Sequence, residues 1–330
     1  MLACLAHVGR LHRALRAAGT RYAQSAQPTA VPQPQRPARR EDSRGPSATM
    51  AGVPKTLRVT SRNAQFQQWE SLLANRAKRQ RSGAFIVQGV RPISVAVANR
   101  WPIDALLFDA GAALSRWARD TLEASGAAQV AMSAELLAEL GGKAEAAPEL
   151  VAVARLPADS LDRIPPGPAM LTVVFDRPAS PGNIGTLIRS ADAFGASGVI
   201  VAGHAADVYD PRSVRASTGS LFCLPVVRVP SHHAVLDWVA GIRDTGIAVR
   251  IVGTDEHGAT DVADIDFTAP TVLLVGNEAA GLSAAWRDAC DQLGRIPMVG
   301  GASSLNAAMA ATVALYEAAR QRSAGRPRAC

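Results

Sequence analysis

The residues best suited to chemistry gather in three short strings in the second half of the chain. The first, Pro181-Gly-Asn-Ile-Gly-Thr-Leu-Ile-Arg-Ser-Ala-Asp-Ala-Phe-Gly195, carries Asn183 and Arg189 behind a glycine-rich turn. The second, Val272-Leu-Leu-Val-Gly-Asn-Glu-Ala-Ala-Gly-Leu282, sets Asn277 and Glu278 directly after an apolar run. The third, Ile296-Pro-Met-Val-Gly-Gly-Ala-Ser-Ser-Leu-Asn306, ends on Ser303, Ser304 and Asn306. An arginine keeps its proton, so its natural chemistry is to hold an anion or stabilise developing negative charge. Amides, a hydroxyl and a carboxylate can orient that guanidinium and whatever it binds. No cluster has metal-ligand spacing, and no metal is expected. Cys4, Cys223, Cys290 and Cys330 lie far apart without a CxxC pair, as unpaired thiols of a reducing compartment would. No GxGxxG follows the first strand of either half, which disfavours a nicotinamide-binding oxidoreductase.

Each string needs an element to position it. Gly182 and Gly185 allow a tight strand-to-helix turn, and Ile184, Leu187, Ile188 and Ala191 form one apolar stripe. A helix over 184–194 would put Asn183 at its N-cap and Arg189 on the polar side near its first turn. The apolar run into Gly276 reads as a strand, and ligands of open α/β sheets sit beyond strand carboxyl ends. Gly300 and Gly301 let a loop wrap closely, Ser303 or Ser304 can cap a helix over 304–321, and Leu305, Met309, Val313 and Tyr316 keep helical spacing. Taken singly, each string is also an ordinary turn before a capped helix. Arg189 would then be a solvated charge, and Glu278 a carboxylate near a helix N-terminus.

From Ala169 onward, strands expected at 171–175, 198–201, 226–229, 248–252 and 271–275 alternate with helices at 184–194, 234–245, 282–290 and 304–321. That alternation predicts a mostly parallel sheet covered on both faces. Residues 51–157 form a smaller α/β pattern, with helices at 63–76, 90–99 and 133–140 and strands at 84–87, 103–108 and 151–153. Pro165, Pro166 and Pro168 mark 158–168 as a linker, the main unit runs over 169–322, and 323–330 is a tail. No apolar run approaches the roughly 20 residues needed to span a bilayer, and a soluble, cytoplasmic protein without membrane partners is expected.

Charge divides the chain unevenly. The formal net charge is +7, yet residues 51–100 hold nine Lys and Arg against Glu70 alone, and residues 101–330 hold 18 basic and 25 acidic residues. Residues 1–50 carry eight arginines and two acids in an Ala-, Pro-, Gln- and Ser-rich stretch that cannot bury enough surface to order itself. This leader is expected to be disordered. Its start has the look of an amphipathic transit segment, which would imply organellar targeting, but the favoured reading makes Met50 the true start.

In this order and spacing, the three strings resemble the motif set of the SpoU (TrmH-like) branch of the SPOUT methyltransferases, which reads NxGxxxR…FG, GNExxGL and IPM…SLN followed by a Tyr-Glu helix end. Tyr316-Glu317 and the intervening Val214-Arg-Ala-Ser-Thr-Gly-Ser-Leu-Phe-Cys-Leu-Pro225 fit as well. The resemblance is dense over 169–321 and looser over 57–157, which is similar to the family's small α/β substrate-binding domain. It implies a SPOUT domain with a parallel sheet and a deep trefoil knot, a fold rule-breaker that spacing alone would never suggest. It implies S-adenosyl-L-methionine bound in the knot against Gly276, Ile296 and Leu305, with Leu274, Met298 and Asn306 close by. It implies a homodimer whose active site borrows surface from both protomers. And it implies transfer of a methyl group to an RNA ribose 2′-hydroxyl, with Arg189 as the catalytic arginine. A guanidinium is a very poor base, so anchoring the adjacent phosphate or stabilising the developing alkoxide is the conservative role. Asn183, Glu278, Ser304 and Asn306 would orient Arg189 and the ribose.

A non-catalytic RNA-binding relative would be expected to lack Arg189, Asn183 or Asn306, and all three are present. A base methyltransferase of the wider superfamily fits Asn277-Glu278 and Ser304-Leu-Asn306 less well. The separate N-terminal domain favours ribosomal RNA of the 23S type over tRNA. Lys78, Arg79, Arg81 and Arg91 are the expected phosphate contacts.

Overall fold

A computed structural model of the chain describes residues 57–142 and 147–324, so the leader and its two readings lie outside the described residues. The first module runs β1 (Leu57–Val59), α1 (Ala64–Ala74), α2 (Arg76–Ser82), β2 (Ala84–Gln88), α3 (Val90–Ala98), β3 (Ile103–Asp109), α4 (Arg116–Ser125), β4 (Ala128–Met132), α5 (Ala134–Gly141) and β5 (Leu150–Arg155). Its sheet has the order β1-β4-β3-β5-β2. β1, β4 and β3 run parallel, while β5 is antiparallel to β3 and β2. Asn63 caps α1 by accepting from Phe66 N at 3.0 Å, and Asn75 caps α2 through Lys78 N, also at 3.0 Å. Gly83 then ends α2 at φ 63°, a left-handed turn suited to glycine.

The second module runs β6 (Leu171–Asp176), α6 (Pro181–Ala193), β7 (Gly198–Ala202), α7 (Pro211–Ala216), β8 (Val226–Val229), α8 (His232–Asp244), β9 (Arg250–Thr254), β10 (Thr260–Asp261), β11 (Thr271–Val275), α9 (Ala284–Ala289), β12 (Gln292–Arg295) and α10 (Ala307–Ala324). Its seven strands, in the order β10-β12-β9-β11-β6-β7-β8, are all parallel. Alternation along β6 sorts the two faces. Leu171, Val173 and Phe175 pack with Ile184, Leu187 and Ile188 of α6 and Ala311 and Leu315 of α10, whereas Val174 packs with Val235 and Val239 of α8 and Trp286 of α9. The chain steps outward from β6 through β7 to β8 and returns on the other side. The crevice between the ends of β6 and β11 is therefore the topological switch point, where open α/β sheets bind ligands.

Several expected boundaries move for local reasons. Ser180, not Asn183, caps α6, and Pro181 takes the first helical position it favours. Asn183 therefore lies inside the first turn and Arg189 two turns in, not near the start. Likewise α10 begins at Ala307, and its cap is Asn306, whose Oδ1 accepts from Ala308 N at 3.0 Å, rather than Ser303 or Ser304. The stripe Met309, Val313 and Tyr316 on α10 points outward, at 50%, 38% and 56% exposure, while alanines and Leu315 face the core.

The modules share one core. Phe85 lies 4.8 Å from Tyr209 and 6.3 Å from Phe222 between ring centroids, and Trp101 meets Phe222 edge-on. The proline-rich stretch between the sheets is anchored, with Ile164 fully buried and Arg163 Nη1 donating to Val226 O at 2.9 Å. Arg79 is part of this junction. Its Nε donates to Asp207 Oδ2 at 2.7 Å and its Nη1 to Leu72 O at 2.6 Å, with the guanidinium and carboxylate 2% and 4% exposed. The expectation that Arg79 grips phosphate is thus overturned: it lies on the inward face of α2, its charge already paired.

Candidate active site

The three strings converge at the switch point. A hairpin-like turn follows β11, where Asn277 N donates to Gly281 O and Gly281 N to Asn277 O, both at 3.0 Å. Gly281 adopts φ 62°, and a Cβ on Gly276 would come within 2.4 Å of Gly281 C, so both glycines are demanded by the turn itself. The turn presents Glu278 to the segment entering α6. Its carboxylate accepts from Ala179 N at 2.9 Å, Ser180 N at 3.2 Å and Asn183 Nδ2 at 2.9 Å. Burial pushes this carboxyl upward, but the N–H donors outweigh it and hold Glu278 below the ordinary glutamate range, ionised at neutral pH. Asn306 Nδ2 in turn donates to Asn183 Oδ1 at 3.2 Å while its own Oδ1 caps α10. One polar chain, Glu278–Asn183–Asn306, therefore locks the three strings together.

Beside this chain opens a cleft of about 280 Å³. Gly276, Ile296, Met298, Ser304 and Leu305 line it, as do the residues from Asn277 to Leu282, Arg287 of α9 and, from the end of β9, Thr254, Asp255 and Glu256. Asp255 is nearly buried and paired with Arg287 Nε at 3.0 Å, while Glu256 is exposed. These carboxylates escaped the sequence reading, although β9 ends on the same edge as β11 and the same strand-end rule would have reached them. Leu274 is not among the residues lining the cleft, its side chain being 1% exposed and packed toward α8 and α9, whereas the next residue, Val275, is.

Arg189 is brought less close. It is exposed, makes no hydrogen bond or ion pair among the described residues, and does not line the cleft. Six residues beyond Asn183, it stands about 9 Å further along the helix and about 120° around it. Of the expected RNA contacts, Lys78 and Arg81 are exposed and line one groove beneath α1 with Gln68 and Ser71. Arg91 is exposed too but lies elsewhere, close enough to favour the Cys223 thiolate against the burial that raises that thiol. Among the described residues no group of three or more His, Cys, Asp or Glu is placed to hold a metal, and no helix is long and apolar enough to cross a membrane.

The description "SpoU rRNA Methylase family" matches residues 170–316, and "SpoU L30e-like domain" matches 63–152. The 23S rRNA (uridine(2479)-2'-O)-methyltransferase of Streptomyces viridochromogenes is 63% identical over 274 residues, 83% of this chain and 96% of that protein. The chain belongs to the SpoU rRNA methylase family. The crystal structure of the SpoU methyltransferase AviRb from the same organism, in complex with the cofactor AdoMet, superposes with a TM-score of 0.77 at 63% identity, covering 80% of this chain and 100% of that one. An AdoMet-bound rRNA methyltransferase from Sinorhizobium meliloti gives 0.72 at 29% identity, over 80% of this chain and 98% of that one. All three strings fall inside the SpoU match, so the α/β fold class expected from them, a parallel-sheet domain after a small α/β domain, is that of the family.

Proposed function

We propose that this SpoU chain is an S-adenosyl-L-methionine-dependent RNA 2′-O-ribose methyltransferase acting on ribosomal RNA of the 23S type. The observation that carries it is the Glu278–Asn183–Asn306 chain at the cleft, in a protein 63% identical to a 23S rRNA 2'-O-methyltransferase over nearly all of that enzyme's length. The cleft suits the cofactor chemically. Ile296, Met298 and Leu305 offer apolar surface, and exposed Glu256 favours a ligand bearing positive charge, the Asp255 charge being paired with Arg287, which lines the cleft too. When bound, the cofactor supplies an activated methyl group on sulfonium. The residues must then align the ribose oxygen and ease loss of its proton. Asn183, Glu278 and Asn306 fix the site's shape, Ser304 lies at the cleft for a hydroxyl contact, and Arg189 holds the neighbouring phosphate or the developing alkoxide.

We assign 51–157 to substrate RNA and 169–322 to methyl transfer, with 158–168 between them. The trefoil knot belongs to this reading. β12 pairs inside the sheet between β10 and β9, and the chain then crosses from the face covered by α9 to the face covered by α6 and α10. The homodimer belongs to it as well. Met309, Val313 and Tyr316 expose an apolar stripe on α10, which is fastened to α6 by a Ser190–Thr312 hydroxyl bond at 2.7 Å. A second copy on this stripe would cover it and could bring its cleft to the stranded Arg189. Light scattering of the purified chain is expected to give twice 34.4 kDa, and a monomer at micromolar concentration would contradict it. A cytoplasmic location, where such an RNA is met, is part of the same proposal.

Lys78, Arg81 and Arg91 remain the proposed phosphate contacts. Replacing Lys78 and Arg81 together with Ala is expected to weaken RNA binding and flatten its salt dependence by about two units of slope, with melting unchanged. Arg79→Ala is expected instead to cost about 3–5 kcal/mol of stability, since it leaves buried Asp207 with only the distant Arg228, at 3.9 Å, as counter-charge. Filter binding across salt and thermal melting separate the two, and a similar loss of stability in both would refute the division. The function itself is tested by mapping 2′-O-methyl positions in total RNA from cells with and without the gene. One lost position in 23S-type RNA is expected; a loss confined to tRNA would overturn the substrate assignment.

A further inference from the structure

Arg177, just past β6, holds φ 47°, a left-handed conformation rare for arginine. Its surroundings impose it. Arg177 N donates to Ala202 O at 2.9 Å, and its carbonyl accepts from Asn277 Nδ2 at 2.6 Å, pinning the backbone between the ends of β7 and β11. The guanidinium folds back on Asp176, its Nε and Nη2 donating to that carboxylate at 2.9 to 3.1 Å, yet it stays 41% exposed while the carboxylate is 6% exposed. Its stem crosses Gly203, where a Cβ would lie 2.8 Å from Arg177 Cγ. The same loop is tied in twice more. Ala206 N donates to Pro178 O at 2.8 Å, and exposed Arg76 of α2 donates from Nη1 to Ala205 O at 2.7 Å. Two arginines, one from each sheet module, are thus fixed on one short loop with donors to spare. Two and three residues after Arg177 come Ala179 and Ser180, the main-chain donors to Glu278. Strained backbone held by several bonds next to a site commonly serves that site.

We propose that Arg177 and Arg76 are positioning residues that grip phosphodiesters of the RNA between the first module and the methyl-transfer cleft. The inference rests on the methyltransferase reading above. Both guanidiniums are held in place by these bonds and keep N–H donors free for phosphate oxygens, Arg177 beyond its pair with Asp176 and Arg76 beyond its bond to Ala205 O. The competing role for Arg177 is plain neutralisation of Asp176. Three variants decide between them: Arg177→Gln, Arg76→Gln, and Asp176→Asn combined with Arg177→Gln, in which no buried carboxylate needs a counter-charge. The probe is an unmodified in vitro transcript of 23S-type rRNA, with filter binding across salt and methyl-transfer kinetics as readouts. Each single variant is expected to raise KM and Kd for the transcript about tenfold, and to lower the salt slope by about one. Turnover at saturating RNA and cofactor affinity should hold. The double variant should keep the RNA defect even where it regains any lost melting temperature. Unchanged Kd and slope, or recovery of RNA affinity in the double variant, would overturn the proposal. A wild-type chain that binds the transcript but transfers no methyl group would overturn the methyltransferase reading, while the binding series still decides the role of Arg177 and Arg76.

Discussion

Arg189→Ala is expected to lower kcat at least about 10³-fold, the scale on which acid-base and oxyanion-stabilising side chains act. Fold and cofactor affinity should survive. Alanine is the best helix former, Arg189 is exposed, and its guanidinium makes no bond among the described residues whose loss would destabilise α6. It does not line the cleft, so its removal takes nothing from a bound cofactor. Arg189→Lys should recover only part of the rate, because an ammonium lacks the planar fork that grips phosphate or alkoxide through two donors. Single-turnover transfer from labelled S-adenosylmethionine, beside calorimetric titration of the cofactor, measures both quantities. Turnover within tenfold of wild type would remove Arg189 from the reaction.

Gly276→Val is expected to weaken cofactor binding by at least about 100-fold and to lower activity with it. A residue without a side chain lets a ligand approach the backbone closely. The structure supplies a stricter cause. The new Cβ would meet the main chain of Gly281 and Leu282 at 2.4 to 2.5 Å, and main chain cannot rotate aside as a side chain can. The turn must therefore open, which withdraws Glu278 from Ala179, Ser180 and Asn183 and unmakes the cleft wall. A loss of about 1–3 kcal/mol in stability should accompany it, as overpacking costs. Gly301→Ala is the control, since nothing lies within 4 Å of a Cβ there. Calorimetry should show nearly unchanged affinity for that variant, and unchanged affinity for Gly276→Val would place the cofactor elsewhere.

What the sequence displayed follows from how each feature is encoded. The parallel sheet was legible because β6, β7, β8 and β11 are short, almost uniformly apolar runs between turns, as doubly covered strands must be. By contrast α4 hides, with only Ala118, Thr121 and Leu122 buried in an otherwise polar segment. β12 hides too, because Gln292-Leu-Gly-Arg295 owes its place to pairing with β9 and not to its own apolarity. The candidate site was legible where a glycine or a polar residue followed a strand. Which partner each residue meets was not. That Glu278 clamps the entry to α6 depends on a contact across 95 residues, and that Arg79 is buried depends on Asp207 across 128. Periodicity had also marked Met309, Val313 and Tyr316 as one stripe. It could not say that small alanines would take the core side of α10 and leave that stripe outside.

The central claim is that this chain methylates a ribose hydroxyl of RNA. The most direct measurement incubates purified full-length protein with an unmodified 23S-type transcript and methyl-labelled S-adenosylmethionine, digests the RNA to nucleosides and identifies the labelled one by mass spectrometry. The account predicts one 2′-O-methylnucleoside, formed by the wild type and absent with Arg189→Ala. Label on a base, or no label in RNA from a protein that binds both cofactor and transcript, would contradict it.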